Sequence, residues 1–390
     1  MISATPLIYL IAGEASGDAL GRDLMIGIKE RLSGDCAFAG VGGDTMAAAG
    51  LDSLFPMEEL SVIGLAEVLP RLLGLIHRIK QARDDILARR PALVVTIDSP
   101  DFCFRVARAV KQRAPDMPIV HYVAPTVWAW RSGRARKVAR FLDHVLCLYA
   151  FEPPYFEYEG LAATFVGHPI ADQARGGDGA AFRRRNGIAD GDDILMVLPG
   201  SRRSELTRLL PVFSEVLGRL NDGGWRGRVV TPTLLRLADD IRAASAGWPY
   251  PAVITTTADD KRDAMAASRA ALAASGTVVL ELAAAGLPAV IAYKFNTLTG
   301  MIARRLIKIP HAGLVNIVRG KEVMPEYIQE DCRAEAIAPA VLALLTDAEA
   351  RARQATEFDQ TLRDLKAPGG RPAAIAAGVV ADIFQKRTRA

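Results

Sequence analysis

Short apolar runs, each closed by a turn signal and followed by a stretch of helical period, recur along the chain in two series. The first contains PLIYLIAG, with a helix expected from about Ser16 to Leu32, then ALVVTIDSPDF, with a basic helix expected from about Phe104 to Arg113, then PIVHYVAP and HVLCLY. The second starts at DILMVLPGSRRSEL and continues through RGRVVTP, PAVITTT, AALAASGTVVLELAAAGLP and AVIAYK. Strands alternating with helices form parallel sheets covered on both faces, so the pattern predicts an α/β chain. The Gly-, Asp- and Arg-rich segment ADQARGGDGAAFRRRNGIADGDD separates the series and reads as a linker over about residues 172–193. Two doubly wound domains facing across a cleft are expected, at 1–171 and 194–345, with C-terminal helices over 346–390.

At 390 residues, half of them apolar, the chain can fill two cores of ordinary size. Its 48 basic and 44 acidic residues leave a net charge of +4, too small a surplus to indicate nucleic acid. Cys36, Cys103, Cys147 and Cys332 stand far apart without CxxC or Cys/His spacing, so neither a zinc site nor a disulfide framework is expected. A reducing cytoplasm is the simplest setting. The opening MISATPLIYLIAG has no basic segment before its apolar run, which argues against a secretory signal. No run of about 18 uncharged apolar residues occurs, so a membrane span is not expected. The richest stretch, VVLELAAAGLPAVIAY, is interrupted by Glu281, Gly286 and Pro288.

Ligands of open α/β sheets bind past the carboxyl ends of the strands, which directs attention to the turns after the apolar runs. The first turn, GEASGDALG, carries Glu14, Ser16, Gly17 and Asp18. Its glycines do not fit G-x-G-x-x-G, and its two carboxylates would repel a diphosphate. Ser16 or Asp18 can simply cap the helix, while the remaining acceptors face a neutral, hydroxyl-rich ligand. The second turn, IDSPDF, sets Asp98 and Asp101 three apart. Asp98 suits a general base that takes a proton from an attacking hydroxyl, whereas Asp101 reads better as an Asx-turn or cap residue. Pro100 is expected to keep Ser99 extended, with both carboxylates on a turn. The pair is not a D-x-D motif, so no metal is called for.

The third turn, LPGSRRSEL, places Gly200, Ser201 and Arg202 at a helix start, an anion site in which a guanidinium can grip phosphate through two parallel hydrogen bonds. A solvated arginine pair is the plainer account, more so for Arg203. In the fourth, ASGTVVLE, Ser275, Gly276 and Thr277 offer N–H groups to another phosphate oxygen. Glu281, one helical turn beyond Thr277, can hold two vicinal hydroxyls of a ribose, although an acid in a first helical turn is common in any case.

In this order, GEASGD, GVGG, MEELSVIGLAEVL, IDSPDF, HYVAPTVWAWR, FEPPYF, VGHPIAD, LPGSRRSE, ASGTVVLE and GLVNIV resemble the lipid-A-disaccharide synthases, inverting glycosyltransferases of the GT-B type. The resemblance runs from about Ile8 to Cys332, and the last 50 residues match only in helical character. It implies a GT-B architecture and transfer of 2,3-diacylglucosamine from its UDP derivative to the 6-hydroxyl of 2,3-diacylglucosamine 1-phosphate. The products are UDP and a β-1,6-linked lipid A disaccharide phosphate. It further implies that the second domain holds UDP through Gly200, Ser201, Arg202, Ser275, Gly276, Thr277, Glu281 and, from the GLVNIV motif, Asn316. The acceptor then faces Glu14, Ser16, Gly17, Asp18 and Asp98. Asp98 is the expected base and Arg202 the expected stabiliser of the departing diphosphate, with no cofactor. Arg203 stands where a small residue is expected after the motif's arginine, so either guanidinium is open for the diphosphate. The implied setting is cytoplasmic and peripheral on the inner face of the inner membrane. A homodimer is left open.

Leu65, Val68, Leu69, Leu72, Leu73, Ile76 and Ile79 recur at helical spacing, with Arg71, Arg78, Lys80 and Arg83 among and after them. Such a stripe suits acyl chains at an anionic membrane surface, and it suits a core-facing helix as well. Trp128 and Trp130, followed by Arg131, Arg134, Arg136, Lys137 and Arg140, extend the surface reading or offer the acceptor phosphate a partner, as do Arg304, Arg305 and Lys308. His121 and His168 read as structural groups. Two rival classes are another UDP-sugar enzyme of GT-B shape, with a different acceptor or an epimerase activity, and a non-catalytic binder. The apolar stripe argues against the first, and only the arginine clusters suggest the second.

Overall fold

The computed structural model describes residues 6–60, 68–128, 133–173, 176–295 and 310–389, with backbone alone for 68–73 and 389. The chain forms two units, Met1–Pro169 with Lys366–Ala390, and Ile170–Leu365.

The first unit runs β1 (Leu7–Ala12), α1 (Ala15–Arg31), β2 (Ala37–Val41), α2 (Asp44–Ala48), β3 (Asp52–Ser53), α3 (Val68–Arg89), β4 (Leu93–Ile97), α4 (Pro100–Lys111), β5 (Ile119–Tyr122), α5 (Gly133–Val138), β6 (His144–Cys147), α6 (Pro153–Glu157) and β7 (Ala162–Phe165). Its parallel sheet has the order β3-β2-β1-β4-β5-β6-β7. Successive side chains of a strand point to opposite faces. Ile8 and Leu10 therefore pack with Leu24, Met25 and Ile28 of α1, while Tyr9 and Ile11 pack with Ile86 of α3 and Val106 and Val110 of α4. Both faces are covered, which is why the strand reads as an unbroken apolar run.

The second unit runs α7 (Gly179–Arg185), β8 (Asp193–Leu198), α8 (Arg203–Asp222), β9 (Gly227–Pro232), α9 (Ala238–Ser245), β10 (Ala252–Thr255), α10 (Ala258–Ala267), β11 (Ala270–Ala274), α11 (Val278–Ala285), β12 (Ala289–Tyr293), α12 (Leu314–Arg319), β13 (Glu326–Ile328), α13 (Ala334–Thr346) and α14 (Ala348–Asp364). Its parallel sheet has the order β10-β9-β8-β11-β12-β13. Phe213, Val216 and Leu217 of α8 meet Ile337 and Val341 of α13 over Leu195 and Val197 of β8. A last helix, α15 (Pro372–Arg389), belongs to the first unit and packs Ala377, Val380 and Phe384 into the layer under α1.

The fold corrects several expectations. The stretch 176–193 of the expected linker is folded, because α7 is packed against α10. A Cβ on Gly177 would lie 2.3 Å from the Arg262 carbonyl oxygen, so glycine there answers to close approach. Asp178 caps α7 by accepting from the Ala181 N–H at 2.8 Å, and Arg185 pairs with Asp260 and Asp263. The segment 346–390 is likewise divided. α14 stays in the second unit, where Gln354 bonds the Ala289 backbone in both directions, and only α15 crosses to the first. α4 starts at Pro100, which suits a first helical position, and not near Phe104. Pro70 lies in the first turn of α3, where its missing N–H is harmless. β2, β3, β7 and β13 were not among the predicted runs. Three of these are edge strands with partly exposed side chains, and β2 is a five-residue strand that includes Gly40.

Candidate active site

In the first unit the strand order reverses between β1 and β4, and Ala12 of β1 pairs with Ile97 of β4, so the turns leaving both strands open side by side. The Ser16 hydroxyl lies near the Asp98 carboxylate and favours its ionised form. A Cβ on Gly13 would lie 2.5 Å from the Ser99 Oγ, so the two turns touch only because residue 13 is glycine. Asp98 and Ser99 have φ of 52° and 41°, and Val123, just past β5, has 76°. Each non-glycine residue held in such a conformation costs about 1–3 kcal/mol, and such residues gather where function requires them. The Asp98 N–H donates to the Tyr122 carbonyl at 2.9 Å, which continues the ladder into the strained turn. Burial pushes the Asp98 carboxyl above the ordinary carboxylate range, and the Ser99 N–H and Ser16 hydroxyl only partly offset it. Ser99 is thus left-handed and not extended. Asp101 is an exposed residue in the first turn of α4, whose N-cap is Ser99, so it is neither cap nor turn acceptor.

Asp18 belongs to the framework. Its carboxylate is 4% exposed and accepts from the Gly43, Thr45 and Met46 N–H groups and the Thr45 hydroxyl, at 2.7 to 3.1 Å. Burial pushes this group up, and these donors outweigh it and leave the carboxyl below its usual range. A carboxylate has about four acceptor positions, so none is left for a ligand. Asp18 thus holds the start of α2 and does not face an acceptor. Glu14 is the exposed N-cap of α1 without a side-chain cap bond, and Gly17 is buried over Ile97.

The second unit repeats the arrangement between β8 and β11, where Leu198 pairs with Ala273. Gly200, at φ 119°, lies so close to Glu205 that a Cβ would sit 2.4 Å from its Oε2. Glu205 is buried and accepts from the Ser201 and Arg202 N–H groups at 2.8 and 3.2 Å. The backbone N–H groups of this turn are therefore directed inward to Glu205, as in a capping box. The Arg202 side chain is 73% exposed and touches Glu205 at 3.3 Å, whereas Arg203 pairs with Asp240 at 2.9 Å. Arg202 is accordingly the guanidinium beside the turn. Arg236, unsuspected from sequence, donates to the Ser201 carbonyl at 3.0 Å.

Beyond β11, Gly276 and Thr277 are exposed, and Thr277 forms the N-cap of α11 without using its side chain. The Ser275 hydroxyl donates to the Ala312 carbonyl at 3.2 Å. Glu281 pairs with Lys261 at 2.5 Å, so a ribose would have to share it. Asn316 is fully buried and spends its amide completely. Its nitrogen donates to the Met324 carbonyl and Glu326, and its oxygen accepts from the Val323 and Met324 N–H groups. The expected donor-site residue thus has all its amide groups met within the chain. Glu326 in turn accepts from the Ala312 and Gly313 N–H groups at 2.8 and 2.7 Å, which links Asn316 to Ser275 through one loop.

A family model described as lipid-A-disaccharide synthetase matches residues 8–374. The lipid-A-disaccharide synthase of Rhodospirillum centenum is 50% identical over 382 residues, covering 98% of this chain and 95% of its own length. That of Paramagnetospirillum magneticum is 48% identical over 383 residues, covering 97% and 98%. The chain belongs to the lipid-A-disaccharide synthase family. Fold likeness reaches further, to the S. aureus MnaA–UDP co-structure (TM-score 0.64, 13% identity, 98% of this chain and 97% of that one) and to Acinetobacter baumannii MurG (0.56, 15%, 97% and 99%). At these identities the likeness is one of fold alone, the GT-B fold of two parallel-sheet units.

In this lipid-A-disaccharide synthase family member the expected acyl stripe is described only in part. Leu65 and Trp130 lie outside the described residues, as do Arg131, Arg304, Arg305 and Lys308, and Val68, Leu69, Leu72 and Leu73 are placed on α3 by backbone alone. Ile76 is 41% exposed, while Leu75 and Ile79 pack on the core and Arg78 is held by Glu59. Among the described residues no helix is long and apolar enough to cross a membrane. Trp128 is turned toward the end of the sheet, where its indole N–H donates to Glu152 at 3.2 Å and its ring meets Phe151 edge-on. Glu152 was not singled out in FEPPYF. Burial pushes it up to about 7, against hydrogen bonds from the Tyr149 N–H, Trp128 and the Leu148 N–H. His121 and His168 are pushed down by burial to about 3 and 4, so both are neutral near pH 7.

Proposed function

We propose that this family member transfers 2,3-diacylglucosamine from its UDP derivative to the 6-hydroxyl of 2,3-diacylglucosamine 1-phosphate, with inversion at the anomeric carbon. The acceptor hydroxyl gives its proton to Asp98 as its oxygen bonds to that carbon. The bond from the same carbon to the diphosphate oxygen breaks, and the electron pair leaves with UDP, whose growing charge Arg202 stabilises. Ser275, Gly276, Thr277 and Glu281 are assigned to the nucleotide, and Glu14 and Ser16 to the acceptor side.

The observation that carries this reading is Asp98 itself, a carboxylate in a strained turn at the switch point, made more basic by burial beside Ser16. Ile76 supports peripheral contact with the inner face of a membrane, because an exposed isoleucine prolongs the apolar stripe of α3. Asp98→Asn keeps the shape and removes the base, so kcat should fall about a hundred- to ten-thousandfold with both KM values within a fewfold of the parent. Near-parental kcat would exclude Asp98 as the base. UDP-glucosamine without acyl chains serves as the donor control, and efficient turnover of it would remove the lipid substrate.

A further inference from the structure

Glu152 follows the turn after β6 and is the N-cap of α6, yet its side chain makes no cap bond to that helix. The residue is 2% exposed, and its carboxylate reaches back along the chain instead. Oε2 accepts from the Leu148 and Tyr149 N–H groups, both at 3.1 Å, and Oε1 accepts from the Trp128 indole N–H at 3.2 Å. Burying a carboxylate against neutral donors is unfavourable, and departures of this kind gather at functional positions. Phe151 stacks on Tyr149 at 5.4 Å and meets Trp128 edge-on at 5.3 Å. The indole is thus fixed by its ring and by its N–H at once.

The turns that leave β4, β5 and β6 are tied in series to this carboxylate. Ile97 pairs with Tyr122, and Tyr122 with Leu146. The Asp98 N–H donates to the Tyr122 carbonyl at 2.9 Å, and the Val123 N–H donates to the Leu146 carbonyl at 3.1 Å. Two residues past Leu146, the Leu148 N–H donates to Glu152. The segment 123–128 is therefore held at Val123 by Leu146 and at Trp128 by Glu152. Val123 is β-branched, and its φ of 76° is a conformation that persists only where the surroundings over-determine it. Its neighbour Tyr122 supplies the carbonyl on which the Asp98 N–H rests, so a clamp on 123–128 is also a clamp on the turn of Asp98.

We propose that Glu152 is a positioning residue for the transfer reaction: by clamping Trp128 it fixes the segment that leaves β5, and thereby holds the Asp98 turn in its working geometry. The consequence for turnover rests on Asp98 being the base, as proposed above.

Trp128→Phe keeps a ring beside Phe151 and removes the indole N–H, and Glu152→Gln keeps the volume but leaves one acceptor oxygen for three donors. Burial pushes the Glu152 carboxyl up to about 7, so the assay belongs at about pH 8, where it is ionised. Each variant should lose about tenfold in kcat there, with both KM values within twofold of the parent. The double variant should lose no more than either single one, because both remove the same bond. Multiplied losses would overturn the proposal. Parental kcat in both variants would overturn it as well, whatever their melting temperatures, since Glu152 would then serve stability alone. So would a raised acceptor KM at parental kcat, which would mean that the segment binds the sugar and does not position the base. Amide exchange reads the clamp without the reaction. The Asp98 and Val123 N–H groups should exchange about tenfold faster in Trp128→Phe, with protection of β8 and β11 kept. Unchanged exchange would overturn the proposal. Near-parental turnover in Asp98→Asn, by contrast, removes the base and leaves the exchange comparison to decide the clamp.

Discussion

Asp98 is set between opposing influences, and their balance fixes what the site can do. Burial raises its proton affinity, and the Ser16 hydroxyl, which stabilises the ionised form, lowers it. A base works only when ionised, so the acid limb of kcat/KM should lie above the ordinary carboxylate value and activity should fall as pH drops through it. Ser16→Ala removes a donor to the charged form and moves the pKa further up, so the acid limb should shift toward higher pH with little change on the alkaline plateau. An unmoved limb would mean that Ser16 does not hold Asp98 in the working enzyme. Asp98 was legible because it directly follows an apolar run, and Ser16 because it lies in the turn after another. Asp18 and Asn316 looked the same in sequence. Only the partners brought in from residues 43–46 and 323–326 show their acceptors and donors already spent.

At the scale of elements, a strand-turn-helix passage serves opposite purposes in the two units. In the first, the turn after β1 is made tight by Gly13 so that it can touch Ser99, and its helix start carries acids. In the second, the turn after β8 is tightened onto a buried acid, Glu205, and its side chains are arginines. The strands flanking both turns were legible because burial on both faces leaves continuous apolar runs. The edge strands β3, β7 and β13 and the helix α7 were not, since partial exposure blurs the former and glycines needed for close packing made the latter look like a linker. Glu205 was quoted and overlooked, because a capping acid announces itself only by spacing to a backbone that must first be folded. Its role has a direct consequence. Glu205→Ala removes the oxygen that accepts from both the Ser201 and Arg202 N–H groups, so the turn should loosen and UDP should bind about tenfold more weakly. Acceptor KM should be unaffected, and unchanged UDP binding would show that the turn holds its shape without this acid.

At the scale of the molecule, each sheet places its polar residues where its strand order reverses, and each unit carries its own core. The units differ in how the chain closes them. The second is continuous from Ile170 to Leu365, whereas the first needs the chain's last helix, because α1 on one side of its sheet is covered by α15 through Ala377, Val380 and Phe384. Stability of the first unit therefore depends on a segment about 200 residues distant from the rest of that unit, and a lesion there should be felt locally. Phe384 is 3% exposed, and Phe384→Ala leaves a cavity whose cost is about 3–5 kcal/mol. Amide hydrogen exchange should then show faster opening of β1, α1 and β4, with protection of β8 and β11 kept at the parental level. UDP, assigned above to the second unit, should raise protection there by the same amount in both proteins, since a ligand stabilises the folded unit that binds it. Equal loss of protection across both sheets would mean that the two units unfold as one, and that the division of the chain has no counterpart in its stability.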